Sequence, residues 1–310
     1  MQVQRDIALF YEDVNITDDV DIMECVVRDV SCGESDCLSL TLDHADRWFR
    51  WNPQKNDRLR VTRSGYDSKT LYLNTIMPRD GTYRVLATAQ KSVPHPPGSK
   101  SYENQTLDSI MRLCAGECGM GARLFGVSGG TRYEYLLRDR MSAPAFMAWL
   151  AEMEGAVLKA LDGNYTLIGI AYAQNLPAMH EMELNDGQMD SDYTDMKAQR
   201  WAGCSVKTPF GSGLARHSGV TGTIPEYREL PVENDAMACR WARGMLLSHN
   251  RLCETLSVSM DFNPGYTAMA RVDVKSKTDA AGQWMIHETE QDLVNGRTRA
   301  KMVRCLSGIG

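Results

Sequence analysis

Residues 37–63 read CLSLTLDHADRWFRWNPQKNDRLRVTR, and apolar and polar side chains alternate at both ends of this stretch. A period of two places alternate side chains on one face of a β-sheet, so each end predicts a strand with one buried and one solvated face. The alternating apolar positions are Leu38, Leu40, Leu42, Leu59 and Val61. This stretch therefore predicts a β unit.

The same period extends from residue 7 to about residue 89, where LYLNTIM (71–77) and YRVLATA (83–89) continue the series of strands. The joins RSGYDS (63–68) and PRDGTY (78–83) contain Gly and Asp, which hairpin turns favour. Sequential antiparallel strands follow from this pattern. At this size we expect them to close or curl into a barrel.

Three prolines mark the end of the first β unit. Pro94, Pro96 and Pro97 lack the backbone N–H that the interior of a sheet requires. The first barrel domain is therefore predicted to span residues 1–92, and residues 93–105 are predicted to form a proline-rich tether.

Residues 106–180 carry helical and hairpin signals in place of the two-residue period. Thr106 precedes an apolar stripe at helical spacing, and Ser142 precedes a second one, which makes both residues expected N-caps. The run AVLKALDGNYTLIGI (156–170) has a strong turn signal, Asp-Gly-Asn, at its centre and predicts a hairpin. These signals predict a small inserted α+β domain.

The two-residue period returns in residues 181–310, most clearly in LSVSMDF (256–262). Residues 183–195 are acidic and are predicted to be a connector, residues 209–223 a glycine-rich loop, and residues 234–249 a helix. The predicted fold class is therefore mainly β, with two β-barrel domains flanking the α+β insertion.

Composition limits the classes of function. The chain has 310 residues, 43% hydrophobic and 24% charged, which is typical of a globular protein that folds throughout. Its net charge of -6 lacks the basic excess that binding to a nucleic-acid backbone requires, so no specific nucleic-acid binding is expected. No apolar run approaches the roughly 18 residues of a membrane helix, and the N-terminus lacks a signal-peptide pattern. We expect no membrane insertion, and folding in a cytoplasm.

The cysteines indicate reduced thiols. They number nine, an odd set with no Cys-x-x-Cys motif. Cys114 and Cys118 lie on the apolar face of the first predicted helix and have no second ligand pair at zinc-site spacing, so a buried helix face is favoured over a metal site. Cys32 and Cys37 bracket a predicted hairpin and are expected to be loop thiols. We therefore predict no metal and no cofactor.

No motif forms a complete catalytic constellation. GVSGG (126–130) departs from the nucleophile-elbow pattern G-x-S-x-G, and HETEQ (287–291) lacks the second histidine of a zincin. The carboxylates of residues 43–48 and 186–192 do not have EF-hand spacing. The sequence thus predicts no catalytic residue and favours a protein that is not an enzyme.

The order of these parts resembles a known family. Residues 38–61, the two following strands, the proline segment and TLDSIMRLCAGECGM (106–120) are similar to the late-control protein D family. Its members are baseplate hub proteins of contractile phage tails and related contractile injection systems. The resemblance covers residues 20–170 and, in outline, residues 195–305.

A turn in the first β unit carries part of this resemblance. The family has Trp-x-Pro-x-x-Gly-Asp before a strand, and the matching residues are Trp51, Pro53 and Asp57. Asn56 stands where the family usually has glycine, and asparagine tolerates the left-handed backbone that the turn needs.

The resemblance implies two tail-tube-like barrels in each chain and a homotrimer that adapts a hexameric tail tube to a trimeric central spike. The implied partners are the spike and the tail tube or tube-initiator protein, with the tape-measure and baseplate wedge proteins as further candidates. The implied location is the baseplate of a virion or phage-tail-like particle assembled in the bacterial cytoplasm. It implies no catalysis.

Two other functions stay open as alternatives. A tail-associated cell-wall hydrolase would use carboxylates such as Asp43, Asp46 or Asp190. A carbohydrate-binding module would use exposed tryptophans, for which the candidates are Trp48, Trp51 and Trp201.

Overall fold

The structure is a computed structural model that describes residues 6–31, 35–184 and 190–310. The first region contains β1 (Ile7–Tyr11), β2 (Val14–Asn15), β3 (Asp21–Val30), β4 (Cys37–Asp43), α1 (Asp46–Phe49), β5 (Arg58–Arg63), β6 (Tyr66–Asp67), β7 (Leu71–Arg79) and β8 (Thr82–Thr88). The middle region contains β9 (Gly98–Thr106), α2 (Leu107–Glu117), β10 (Gly121–Phe125), β11 (Arg132–Met141), α3 (Ala143–Met153), β12 (Ala156–Leu161), β13 (Asn164–Gly169) and α4 (Ile170–Asn175). The last region contains β14 (His180–Glu183), β15 (Asp190–Asp195), β16 (Gly203–Lys207), β17 (Ser212–Arg216), β18 (Glu226–Tyr227), α5 (Asp235–Asn250), β19 (Glu254–Asp261), β20 (Arg271–Lys275), β21 (Gly282–Asp292) and β22 (Arg297–Arg304).

The alternating side chains pack as the sequence predicts. Leu38, Leu40 and Leu42 of β4 are buried, and so are Leu59 and Val61 of β5, while the intervening side chains are more exposed. The prediction of a mainly β fold is confirmed.

One large sheet joins the first and last regions. Its strands follow the order β15-β19-β22-β21-β3-β4-β8-β7-β5-β1-β2, with β6 on β5, β20 on β21 and β14 on β20. The joint is the antiparallel pair β21–β3, in which Glu288 lies opposite Val30 and Asp292 opposite Val26. Among the described residues no closed barrel forms, so the predicted pair of closed barrels is not confirmed. A two-residue period identifies strands, but it does not identify which strands pair across a large sequence separation.

The middle region confirms the predicted caps and hairpin. Thr106 Oγ1 accepts a hydrogen bond from the Ser109 N–H, and Ser142 Oγ accepts one from the Ala145 N–H. Strands β12 and β13 form the predicted antiparallel hairpin, and β10 adds to β13 in parallel.

The predicted tether is too long. The three prolines lie between β8 and β9, outside any strand, but residues 98–106 form β9, which pairs with β11 in a two-stranded ribbon. The sequence GSKSYENQT has no apolar alternation, and only Tyr102 within it is buried. The strand therefore depends on its pairing with β11, which the local pattern does not reveal.

The predicted acidic connector is also partly wrong. Residues 190–195 form β15, an edge strand on β19. Residues 185–189 of the same segment lie outside the described residues. The predicted helix near residues 234–249 is confirmed as α5, with Asn234 as its N-cap.

The core extends across all three regions. The largest buried cluster includes Trp48 of the first region, Phe146 of the middle region and Trp241 of α5. A second cluster surrounds Trp284 beneath β19 to β22, and a third links α4 to α5 and β21. Among the described residues, no helix is both long and apolar enough to cross a membrane.

Candidate functional site

The structure separates Asp190 from Asp43 and Asp46, the other two carboxylates considered for a hydrolase. Asp43 accepts a hydrogen bond from the His44 N–H, and Asp46 accepts one from the Tyr83 hydroxyl at 2.6 Å. Asp190 begins β15, which lies five strand spacings from β4 in the sheet order, or roughly 24 Å along the sheet. Glycosidase carboxylates lie about 5–10 Å apart. Asp43 and Asp46 are already engaged by neighbouring groups, and the sheet order does not bring Asp190 to them.

The three candidate tryptophans do not form one binding surface. Trp48 is fully buried and packs edge-on against Tyr11, with ring centroids 5.8 Å apart. Trp201 is partly buried and stacks on His249 at 3.8 Å. Trp51 alone of the three is well exposed. A flat aromatic platform for a sugar is therefore absent from these three residues.

The cysteine pair of α2 faces the core. Cys114 and Cys118 are both fully buried, and the Tyr102 hydroxyl lies 3.1 Å from Cys114 Sγ. Burial raises the pKa of both thiols. The described residues contain no group of three or more His, Cys, Asp or Glu side chains that could hold a metal ion. Cys37 is the first residue of β4 and is not in a loop, which corrects that prediction, and Cys32 lies outside the described residues.

A buried ion cluster joins the middle region to the large sheet. Lys159 of β12 reaches Asp36 at 2.6 Å, contacts Asp29 and donates a hydrogen bond to the Val30 carbonyl at 3.0 Å. Asp29 also accepts a hydrogen bond from the Ala268 N–H, so the cluster also holds the loop before β20. It thereby positions three distant segments of the chain against one another.

The charges of this cluster are set by burial and by each other. Burial lowers the pKa of Lys159. The nearby carboxylates of Asp29 and Asp36 raise it by more, so the pKa of Lys159 lies above its ordinary value. Burial raises the pKa of Asp36 to about 6, against the opposing effect of Lys159. At neutral pH the lysine is therefore charged and compensated by carboxylates.

A second buried cluster joins α3, β11 and α5. The carboxylate of Glu154 accepts hydrogen bonds from the Tyr133 hydroxyl at 2.7 Å, Trp241 Nε1 at 2.8 Å and Arg240 Nε at 2.8 Å. Its side chain is only 2% exposed, so these partners replace its water. The cluster fixes α5 of the last region on the middle region.

The exposed apolar side chains of the described surface include a single residue on a turn and a group around α4. Phe210, at the turn between β16 and β17, is 77% exposed. Around α4, Phe125, Tyr172, Leu176 and Met179 are also exposed and surround a pocket. Single exposed apolar residues are common on protein surfaces, whereas a contiguous group such as the one around α4 is a candidate binding surface.

Neither of the two buried clusters and neither of the two apolar surfaces was predicted from the sequence. Lys159 had a usable signal, because it is the one charge in the apolar run AVLKAL of a predicted strand. A charge on an apolar strand needs a buried partner. The partners Asp29 and Asp36 had no such signal, since they lie more than 120 positions away. Phe210 has no apolar neighbours in its glycine-containing loop. Its exposure could not be predicted, because it depends on whether another part of the folded chain covers this loop.

No protein-family model matches the sequence, and no curated protein matches it either. Solved structures do match. The 43 kDa tail protein of prophage MuSo2 from Shewanella oneidensis is 12% identical with a TM-score of 0.73, covering 98% of this chain and 99% of that one. The tail protein from Neisseria meningitidis MC58 is 10% identical with a TM-score of 0.72, covering 96% of each chain.

A third match comes from a secretion machine. The E. coli c3393 protein is described as a component of the type VI secretion system with structural similarity to the T4 bacteriophage tail proteins gp27 and gp5. It is 10% identical with a TM-score of 0.54, covering 92% of this chain and 73% of that one. At these identities the likeness establishes a shared fold. The chain has the fold of these phage-tail and secretion-tail proteins over nearly its whole length.

Proposed function

We propose that this chain is the baseplate hub of a contractile phage tail or a related injection particle. In this role it is a homotrimeric adaptor between a hexameric tail tube and a trimeric central spike. The proposal follows the resemblance to the late-control protein D family and is supported by the fold shared with two tail proteins and a type VI secretion component.

The observation that carries the proposal is the β21–β3 pair. It places the first and last β regions edge to edge in one sheet, so that one chain presents two β units in a row. Three copies arranged around an axis would present six such units, which is the number that a hexameric tube requires. The two buried ion clusters support the same role, because they make the middle region and both β units one packed body.

Charge supports a channel through such a ring. Three copies at -6 each carry a formal charge of -18. In our proposal the solvated face of the large sheet lines the channel, where Asp192, Glu288 and Glu290 accompany Arg299 and Lys301 around a shallow pocket. A net negative lining repels a DNA backbone and lets it pass without binding. The role needs no cofactor and no catalytic residue.

Imaging of the assembled particle tests the proposal. Electron cryomicroscopy of the chain with its spike and tube partners should show three copies, with residues 1–92 and 181–310 alternating around the axis and the middle region outside them. A single copy or a dimer in that complex, or β units that do not superpose, would refute it. Peptidoglycan zymography should show no clearing by the purified chain, which distinguishes the hub from a cell-wall hydrolase.

A further inference from the structure

The side-chain nitrogen of Lys159 is held against two carboxyl groups in a site that excludes most water. Its Nζ contacts Asp29 Oδ1 and lies 2.7 Å and 2.6 Å from the two carboxyl oxygens of Asp36. The side chains of Lys159, Asp36 and Asp29 are only 6%, 10% and 15% exposed. An amine and a carboxyl group held in contact react as if their effective concentration were about 10⁵–10⁸ M, provided that the geometry is suitable. The cluster therefore brings together the two groups of an amide bond.

The carboxyl group of Asp29 has a hydrogen-bond donor placed for such a reaction. Its Oδ1 contacts the lysine nitrogen, and its Oδ2 accepts a hydrogen bond from the Ala268 N–H at 2.9 Å. Negative charge develops on the carboxyl oxygens when a nitrogen adds to the carboxyl carbon. A backbone N–H that already points at one of these oxygens stabilises the charge, as in an oxyanion hole. Asp29 is therefore suited to be the group that the amine attacks.

Asp36 is placed to carry protons for this attack. Both of its carboxyl oxygens face the nitrogen of Lys159. Burial raises the pKa of Asp36 to about 6, so this carboxylate accepts a proton more readily than an ordinary aspartate does. The lysine nitrogen is charged in the resting cluster and becomes a nucleophile only after it loses a proton. The electrophile and the general base are thus two different carboxyl groups that contact one nitrogen.

Burial distinguishes this cluster from other close ion pairs of the chain. Lys275 Nζ also lies 2.6 Å from a carboxyl oxygen, that of Glu181, but the two side chains are 61% and 67% exposed. Formation of an amide from an amine and a carboxyl group releases water, and surrounding water opposes it. In the exposed pair solvent reaches both groups, whereas around Lys159 the packed core keeps solvent away. Contact and exclusion of water occur together at Lys159.

We propose that Lys159 and Asp29 condense to an intramolecular isopeptide bond, which links the middle region covalently to β3 of the large sheet. The bond between Lys159 Nζ and Asp29 Cγ forms, and the bond between Asp29 Cγ and Oδ1 breaks. Asp36 takes a proton from Nζ and passes it on to Oδ1. This oxygen leaves as water with the two protons that the ammonium group loses, and Oδ2 becomes the amide oxygen.

The reaction needs no further reactant. Asp36 ends it in the state in which it began, and no oxidant, reductant or cofactor is consumed. The inference goes beyond the proposed function and does not rest on it, because the bond lies within one chain.

Intact mass spectrometry of the reduced and denatured chain tests the bond directly. The wild type should be lighter than its own sequence by the mass of one water molecule. Lys159→Arg keeps the positive charge but removes the amine, so its mass should equal that of its sequence. A wild-type mass equal to the sequence mass, both in fresh protein and after prolonged incubation of the folded chain, overturns the inference and leaves an ordinary ion pair.

Tryptic digestion locates the bond. Trypsin does not cleave after an acylated lysine, so residues 141–197 should stay one peptide and should be joined to residues 29–47, with fragmentation placing the link on Asp29. Cleavage after Lys275, the exposed control, should be complete. Ordinary cleavage after Lys159, or a link that maps to Asp36, overturns the inference.

The variant Asp36→Asn tests the general base. It keeps the volume of the side chain but cannot accept a proton from the lysine. Once its circular dichroism matches the wild type, less than a tenth as much of it should carry the link between Lys159 and Asp29. A folded variant that is linked to the same extent as the wild type overturns the role of Asp36.

Discussion

Lys159 Nζ lies 2.6 Å from Asp36 Oδ2, although the two residues are 123 positions apart in the chain. The lysine belongs to the hairpin of the middle region, and the aspartate precedes β4 of the large sheet. Both side chains are 10% exposed or less. The ion pair therefore fixes the position of the middle region relative to the large sheet.

Replacing Lys159 by methionine should therefore destabilise the chain strongly. The variant keeps the volume of the side chain but leaves Asp29 and Asp36 buried without their cation. We expect the free energy of unfolding to fall by about 3–5 kcal/mol, as when one partner of a buried pair is removed. Urea denaturation measures the change. The matched control is Lys275→Met, whose exposed partner is Glu181, and which should leave stability nearly unchanged. Equal losses in both variants would contradict the role of the cluster.

His287, which is partly buried, and Asp36, which is buried, should give opposite pH dependences of stability. Burial lowers the pKa of His287 to about 4, so below about pH 6.5 the unfolded chain binds a proton that the folded chain does not, and acid removes stability. Burial raises the pKa of Asp36 to about 6, so between about pH 6 and 4 the folded chain binds the extra proton, and acid adds stability.

Urea unfolding at pH 6.5 and 4.5 separates the two contributions. Relative to the wild type, His287→Asn should lose less stability on acidification, and Asp36→Asn should lose more. The comparison within each variant cancels any constant cost of the substitution. If both substitutions changed the loss of stability between pH 6.5 and 4.5 in the same direction, the opposite contributions of His287 and Asp36 would be refuted.

Two helical glycines should respond oppositely to alanine. A Cβ on Gly244 of α5 would lie 2.1 Å from the Met153 carbonyl oxygen, whereas a Cβ on Gly116 of α2 would meet nothing within 4 Å. Gly244→Ala should therefore cost about 1–3 kcal/mol or more by overpacking. Gly116→Ala should gain up to about 1 kcal/mol from helix propensity. Thermal unfolding of the two variants checks both signs. A stabilised Gly244→Ala variant would show that α3 and α5 are not in close contact.

Thiol reactivity should follow burial. Cys239 is exposed on α5, while Cys25, Cys114 and Cys118 are fully buried and burial raises the pKa of each of their thiols. Brief iodoacetamide treatment of the native protein should label Cys239 first and leave the other three unmodified until urea is added. Mass spectrometry of tryptic peptides gives the order. A chelator should leave both the order of labelling and the melting temperature unchanged. The purified protein should contain no stoichiometric zinc or iron. Metal that is present, and is lost when Cys114 and Cys118 are both replaced by alanine, would contradict a metal-free helix face.

Local patterns predicted most of the individual elements. The alternation in β4 and β5, the caps at Thr106 and Ser142 and the hairpin of β12 and β13 all depend on neighbouring residues, whose spacing determines which side chains share a face. Other strands were not predicted. β17 (Ser212–Arg216) lies within the predicted glycine-rich loop at residues 209–223, which was therefore partly wrong. β9 and β15 were missed because neither strand is apolar. Each forms because a partner strand supplies hydrogen bonds along its edge.

By itself, the sequence determined the mainly β fold class and the individual strands, caps and hairpin whose signals lie within a few residues. Tertiary structure alone decided that β21 pairs with β3, that Lys159 meets Asp29 and Asp36, and that Phe210 stays exposed. The physical reason is the sequence separation over which each interaction acts. Periodicity and capping act over a few residues, whereas pairing, burial and exposure depend on which segments, hundreds of positions apart, the packed core brings together.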